Sequence, residues 1–230
     1  MEDARFADRR DAGRQLARRL SAYAGRDDVT VLGLPRGGLP VADEVACAVG
    51  APLDVFLVRK LGVPVHPELA MGAIAEGGVE VLDEPLIRDL AVPMSEVRQV
   101  AARQRNELER RSTLYRAGRP AVPLAGRTVI LVDDGLATGS TMHAAVLALR
   151  QHAPSRVVVA VPVGSREAVE RLAALADEVV CLSTPAGFFA VGQWYGDFRQ
   201  TTDNEVGEIL ATSAKRWVAR TTETSGRECG

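Results

Sequence analysis

The sequence predicts an α/β protein built on an open, mostly parallel twisted sheet with helices on both faces. Three observations predict it. Continuous apolar runs of strand length recur along the chain, as in Val29–Leu34 (VTVLGL) and Val157–Val163. Helical patterns separate those runs, which is how a parallel sheet buried on both faces reads. Two of the runs end in small, glycine-containing loops that lead straight into helices, Pro35-Arg36-Gly37-Gly38 and Ala137-Thr138-Gly139-Ser140-Thr141.

Taken in order, an amphipathic helix is expected over Ala7–Ala24, with Ala12, Leu16, Leu20 and Tyr23 on one stripe. The strand Val29–Leu34 follows, then a helix over Pro40–Val49 and a second short strand over Leu53–Val58. Met71–Leu82 reads as a hairpin turning at Gly77-Gly78. Ser95–Ala117 is a long arginine-rich helix. Val97, Val100, Ala101, Gln104, Leu108 and Tyr115 form its packed stripe, and Glu107 and Arg111 stand at i,i+4 on a solvated face. The strand Val129–Val132, a helix over Ser140–Gln151, the strand Val157–Val163, a helix over Arg166–Ala176 and a short strand over Glu178–Leu182 complete the core. Thr184–Asn204 then holds Phe188, Phe189, Trp194, Tyr195 and Phe198, half of the chain's aromatic residues. A core is therefore expected over 1–183, a closing segment with a C-terminal helix over 184–220, and a disordered tail over 221–230.

Composition narrows the function. The 230 residues allow one domain with a sizeable core. A net charge of −2 gives no basic field of the kind that marks nonspecific nucleic-acid binding. Cys47, Cys181 and Cys229 are odd in number and widely spaced, against a disulfide framework or a zinc site. The charged start (Glu2, Asp3, Arg5) does not read as a signal peptide, and no apolar run approaches the roughly 20 residues needed to span a bilayer. A soluble cytoplasmic protein is expected.

In an open parallel sheet, ligands sit at the carboxyl ends of the strands. Asp133 and Asp134 fall at such an end, and the next helix begins at about Ser140. Free amides and the positive dipole end of a helix suit a phosphate, and Thr138, Ser140 and Thr141 add hydroxyl donors. Two carboxylates would repel that phosphate, so they suit another part of one ligand: a sugar diol or a cation it carries. Phosphate at one end and vicinal hydroxyls at the other describe a ribose 5-phosphate. The plainer alternative is that the acids merely end a strand and Ser140 caps a helix.

The stretch Val129–Thr141 resembles the phosphoribosyl-pyrophosphate (PRPP) signature of type I phosphoribosyltransferases. The resemblance covers about Val29 to Leu182, and one departure is Gly135, where the family usually carries an aliphatic residue. It implies that Asp133 and Asp134 bind the ribose hydroxyls and that Ala137, Thr138, Gly139, Ser140 and Thr141 wrap the 5-phosphate. Arg36, Gly37 and Gly38 stand where the family places its pyrophosphate loop. Arg59 and Lys60, in Arg-Lys-Leu-Gly, resemble the cations of adenine phosphoribosyltransferases. Ala137 replaces the aspartate of 6-oxopurine enzymes, and Glu76, with Glu80 second, is the candidate for the loop glutamate of the adenine enzymes. Phe188, Phe189, Trp194 and Tyr195 are candidates to stack on the base in a variable hood, although such rings also simply pack a segment onto a sheet.

The function so implied is Mg2+-dependent transfer of ribose 5-phosphate between PRPP and a nitrogenous base, as in nucleotide salvage. Magnesium would be held mainly by PRPP and water rather than by protein ligands. Small molecules are the expected partners, with a homodimer by family resemblance and neither nucleic acid nor membrane. The main rival is a non-catalytic PRPP sensor. A dinucleotide oxidoreductase is disfavoured, because Gly33–Gly38 lacks the GxGxxG spacing and carries a proline. The lone histidines His66, His143 and His152 offer no catalytic partner spacing.

Overall fold

The structure, a computed structural model, describes residues 6–227. Its core is a five-stranded sheet formed by β1 (Val29–Gly33), β2 (Leu53–Val55), β6 (Thr128–Val132), β7 (Arg156–Val163) and β8 (Glu178–Ser183), in the order β2-β1-β6-β7-β8. Every adjacent pair is parallel. Strands β1 and β6 are buried at every position, as continuous apolar runs require. The expected fold class is the observed one.

Helices cover both faces. On one, Leu16 and Leu20, within or just after α1 (Arg9–Arg19), pack with Val45 of α2 (Gly38–Val49) and Leu210 of α7 (Asp203–Arg227). On the other, Met142 and Leu149 of α5 (Ser140–Arg150) pack with Leu172 of α6 (Arg166–Ala173) against Val129, Leu131 and Val159. Ala12, Leu16, Leu20 and Tyr23 are all buried, the stripe that the 3.6-residue period marks.

A second, antiparallel sheet carries β3 (Val58–Val63), β4 (His66–Ala75) and β5 (Glu80–Leu82). The apolar pattern joins β2 to the start of β3 as one run, Leu53–Val58. They are separate because Phe56 and Leu57 bond to different neighbours: Phe56 N donates to Gly33 O and Leu57 O accepts from Glu76 N. The turn at Gly77-Gly78 is where the pattern put it. A short helix, α3 (Glu84–Asp89), was not expected. Asp83 caps it by accepting from Leu86 N, and Pro85 sits in its first turn. The arginine-rich helix α4 (Met94–Arg116) crosses β3 and β4.

Thr184–Thr202 has little regular structure beyond a 3₁₀ turn, Val191–Trp194. Helix α7 then continues to Arg227, into the stretch expected to be disordered, because each added residue of an existing helix gains a hydrogen bond. Residues 228–230, Cys229 among them, lie outside the described residues. Among the described residues no helix is long and apolar enough to cross a membrane.

Candidate functional site

Strand order reverses between β1 and β6, so the loops that leave their carboxyl ends open side by side. Gly33 is in register with Val132, and Leu34 N donates to Val132 O at 2.9 Å, drawing the first loop across the end of β6. The Pro35–Arg36 peptide bond in that loop is cis. A Cβ on Gly37 would lie 2.0 Å from Asp134 Oδ2, and one on Gly38 would lie 2.8 Å from Val132 O. The two glycines thus let the first loop lie directly against the acid pair.

Asp133 Oδ1 accepts from Asp134 N at 2.8 Å. Burial and the neighbouring Asp134 carboxylate push Asp133 well above the usual carboxylate range. Burial also raises Asp134, against the pull of Arg9. Arg9 Nε lies 2.8 Å from Asp134 Oδ2, with side-chain exposures of 11% and 15%. Tyr195 Oη donates to the Asp134 carbonyl at 2.5 Å. Sequence reasoning missed Arg9: the one signal was a cation at the start of an amphipathic helix, and nothing local tied it to a residue 125 positions away.

The hydroxyl loop opens α5. Gly139 is left-handed (φ +71°), and a Cβ there would meet Ala168 Cβ at 3.1 Å. Having no side chain, Gly139 makes no cap hydrogen bond to α5; Ser140 N donates to Thr138 Oγ1 at 3.4 Å, and Thr138 Oγ1 lies 3.0 Å from Ser140 Oγ. Helix α6 fixes this loop from behind: Ser165 Oγ donates to Ala137 O at 2.8 Å and Arg171 to Thr138 O at 3.3 Å. Ala137, Thr138 and Thr141 are exposed. The departure at Gly135 has a packing reason, since a Cβ there would lie 2.6 Å from Val191.

Two of the expected pyrophosphate cations have partners of their own. Arg36 Nη1 faces Asp203 at 3.7 Å, and Arg59 Nε donates to Gln104 of α4 at 2.8 Å. Arg59 and Lys60 lie within β3 rather than after a strand, half-buried in register with Ile74 and Ala73.

Glu76 and the aromatic candidates have partners of their own in the structure. Glu76, the candidate acid–base group, has both carboxylate oxygens on Arg116, whose guanidinium also reaches both oxygens of Asp54. Arg116 is 8% exposed; burial opposes its charge, but Glu76 and Asp54 outweigh that and hold it more firmly protonated than an ordinary arginine. Glu76 is thus committed to a buried ion network beside a cavity of about 620 Å³ lined by Phe56, Ser112, Val122 and His152, away from the acid pair. Glu80, the second candidate, pairs with Arg105 at 3.1 Å. Trp194 and Tyr195, candidates to stack on a base, are 8% and 5% exposed and pack against Phe6 and Val163. Their faces serve the core. Phe188 is half-buried on that cluster, and Phe189 is 90% exposed.

The chain resembles known proteins across this region. A family model described as the phosphoribosyl transferase domain matches residues 67–193. That span holds the acid pair and the hydroxyl loop. Two curated Mycobacterium tuberculosis relatives, from strains H37Rv and CDC 1551 and each named "Putative phosphoribosyl transferase", are 55% identical over 205 residues. The match covers 89% of this chain and 46% of each relative, so the chain spans about half their length. The crystal structure of TT1426 from Thermus thermophilus superposes with a TM-score of 0.83 at 53% identity, covering 90% of this chain and 97% of that one.

Proposed function

From the premise that this chain belongs to the phosphoribosyl transferase domain family, we propose that it transfers ribose 5-phosphate between PRPP and a nitrogenous base, releasing pyrophosphate. One observation carries the reading: two adjacent carboxylates, a glycine pair in contact with them, and a hydroxyl-bearing helix start meet at the switch point of a parallel sheet. That set matches the diol, the pyrophosphate and the 5-phosphate of one ligand.

Transfer breaks the bond from the anomeric carbon to pyrophosphate, whose oxygen keeps the electron pair, and forms one from that carbon to a ring nitrogen of the base, which gives up its proton to water. Between the two the sugar is electron-poor and the leaving group a polyanion. Asp133 and Asp134 accept hydrogen bonds from the ribose hydroxyls and face the positive charge as it grows. Ala137–Thr141 fixes the phosphate end, so the sugar is held at two points and the reacting carbon cannot drift. The amide of Gly37 meets the departing anion, whereas that of Gly38 already donates to Leu34 O at 3.0 Å; Arg36, Arg59 and Lys60 are available once they leave their present partners. Among the described residues no group of three or more His, Cys, Asp or Glu could hold a metal ion. A hard cation that arrives with most of its own oxygen ligands fits this donor set. Mg2+ bound to PRPP would neutralise charge on the leaving group.

The base is the open half of the substrate pair. Exposed Phe189 and half-buried Phe188 are the rings free enough to reach it. An assay of pyrophosphate release from PRPP and Mg2+, with a panel of bases beginning with adenine, tests the reading. Asp134→Asn and Thr138→Ile serve as controls, and no release with any base removes the transferase assignment. A second reading, a PRPP sensor, draws on the pairing of Arg36 with Asp203 and of Arg59 with Gln104. It predicts PRPP uptake by calorimetry with no turnover.

A further inference from the structure

The N-terminal helix and the aromatic segment after β8 converge on one aspartate. Arg9, the first residue of α1, is held at three points: Nε donates to Asp134 Oδ2 at 2.8 Å, Nη1 donates to Arg199 O at 2.8 Å, and the guanidinium carbon lies 3.9 Å from the centre of the Phe198 ring. The segment that supplies Phe198 and Arg199 is tied to the N-terminal segment through the backbone. Phe6 N donates to Trp194 O, Gly196 N to Phe6 O and Asp197 N to Ala7 O. Tyr195, whose hydroxyl holds the Asp134 carbonyl, packs on Phe6 and Phe198 with ring centroids 5.5 and 5.0 Å away.

The geometry separates two uses of such a cation. A latch that a ligand must displace would lie over the carboxylate, exposed and held loosely. Arg9 is 11% exposed and fixed by a carbonyl and an aromatic face as well as by Asp134. It touches Asp134 through Nε and Oδ2 alone, not as a two-pronged fork, so Oδ1 is left for a ligand hydroxyl. Asp133 offers the Asp134 carboxylate only repulsion, so Arg9 is the group that holds that carboxylate in one rotamer while ionised.

We propose that Arg9 is a positioning residue for sugar recognition: it fixes Asp134 so that Oδ1 meets the ribose diol, and the Phe198–Arg199 segment fixes Arg9. This rests on the reading of Asp133 and Asp134 as the ribose-binding pair. It makes the N-terminal helix and the aromatic segment parts of the site, though neither carries a phosphoribosyltransferase motif.

The test is calorimetry of PRPP with Mg2+ on the whole chain, with melting temperatures measured alongside. Arg9→Gln weakens PRPP binding about tenfold or more, the scale of one charged hydrogen bond, and Arg9→Lys recovers part of the loss. Arg10→Gln is the control for helix docking, because Arg10 pairs with Asp43 and Glu44 on α2 instead. Its side chain is 47% exposed, so it lowers the melting temperature by less than Arg9→Gln does, and it leaves PRPP affinity at the wild-type value. Should Arg9→Gln fail to fold, Phe198→Leu keeps the guanidinium but removes its stack, and weakens PRPP binding by a smaller factor. Arg9→Gln binding PRPP as tightly as wild type, or more tightly, overturns the proposal. So does a loss that Arg10→Gln reproduces, and so does unchanged affinity in Phe198→Leu. A wild-type chain that takes up no PRPP fails differently: it removes the functional reading itself.

Discussion

Replacing Gly37 by alanine tests whether the first loop and the acid pair form one site. Gly37 has φ −63° and ψ −31°, an ordinary right-handed conformation that alanine prefers. Were space the same, Gly37→Ala would stabilise the fold by about 0.4–1 kcal/mol through the unfolded chain. Space is not the same. The new Cβ would lie 2.0 Å from Asp134 Oδ2, 2.7 Å from its Cγ and 3.3 Å from Arg9 Nε, where Cβ contacts under 3.0 Å are essentially never found. The carboxylate must retreat by about 1 Å, which breaks its 2.8 Å bond to Arg9. Losing a charged hydrogen bond costs about 1.5–3 kcal/mol, more than the backbone gain, so the net sign is destabilising. A misplacement of that size in a positioning group costs about 100-fold in reaction rate. Titration calorimetry with PRPP and Mg2+ should find affinity lowered about 10- to 100-fold, and a melt should find the variant less stable. A Gly37→Ala protein that is more stable than wild type and binds PRPP equally would refute the contact.

Other perturbations reach the rest of the site. Arg116→Met leaves Asp54 and Glu76 buried without their cation and should destabilise by about 3–5 kcal/mol in urea unfolding. Adding Asp54→Asn and Glu76→Gln should restore most of that loss, and a failure to do so would mean that the guanidinium acts by packing. Gly139→Ala forces a left-handed alanine, costing about 1–2 kcal/mol. It also tilts the start of α5, so PRPP affinity and melting temperature should fall together. Phe189→Ala removes a ring that is 90% exposed. It should leave the melting temperature within about 1 °C while raising KM for the accepted base several-fold, and an unchanged KM would take Phe189 out of base recognition.

What was legible in the sequence is what local pattern encodes. Strands β1, β6, β7 and β8 are short, continuous and apolar, and each was placed within a residue or so of its observed ends. The loop Ala137–Thr141 was legible because a helix start, small residues and hydroxyls are adjacent in sequence. The partner of Glu76 has no local signal, because it stands 40 positions on and α4 brings it into place as Arg116. The role of Trp194 and Tyr195 is open in the sequence for a related reason. An aromatic ring is equally good at stacking on a ligand and at sealing a core, and only the bridge from Phe6 to Tyr195 decides between them. The run Leu53–Val58 carries β2 into the first residue of β3, because no glycine or proline marks the crossing at Phe56-Leu57. The reason for Gly135 is not local either: Val191, from the aromatic segment, occupies the space a side chain would need.

The acid pair opposes the fold that holds it. An Asp133 carboxyl raised by burial and by Asp134 binds protons more tightly in the folded chain than in the unfolded one. Between the ordinary carboxylate value of 3.8 and the raised value, the folded state carries more protons, so stability falls as pH rises. Above the raised value the whole penalty is present. Asp133→Asn keeps an oxygen to accept from Asp134 N and removes the charge. The ligand-free variant should therefore melt higher than wild type at pH 7.5, with the gain shrinking to nothing as pH falls toward 3.8. The order should reverse in ligand response. Saturating PRPP with Mg2+ at about 100 times Kd stabilises a binding-competent chain by about 2.7 kcal/mol, an upward shift of about 5–10 °C at this size. Asp133→Asn should lose most of that shift, because the ribose hydroxyls then meet a weaker acceptor. Wild type and variant would cross: the variant more stable empty, the wild type gaining more when filled. A variant that melts lower than wild type when empty at pH 7.5 would mean that the carboxylate supports the fold. One that keeps the full ligand shift would mean that it does not face the sugar.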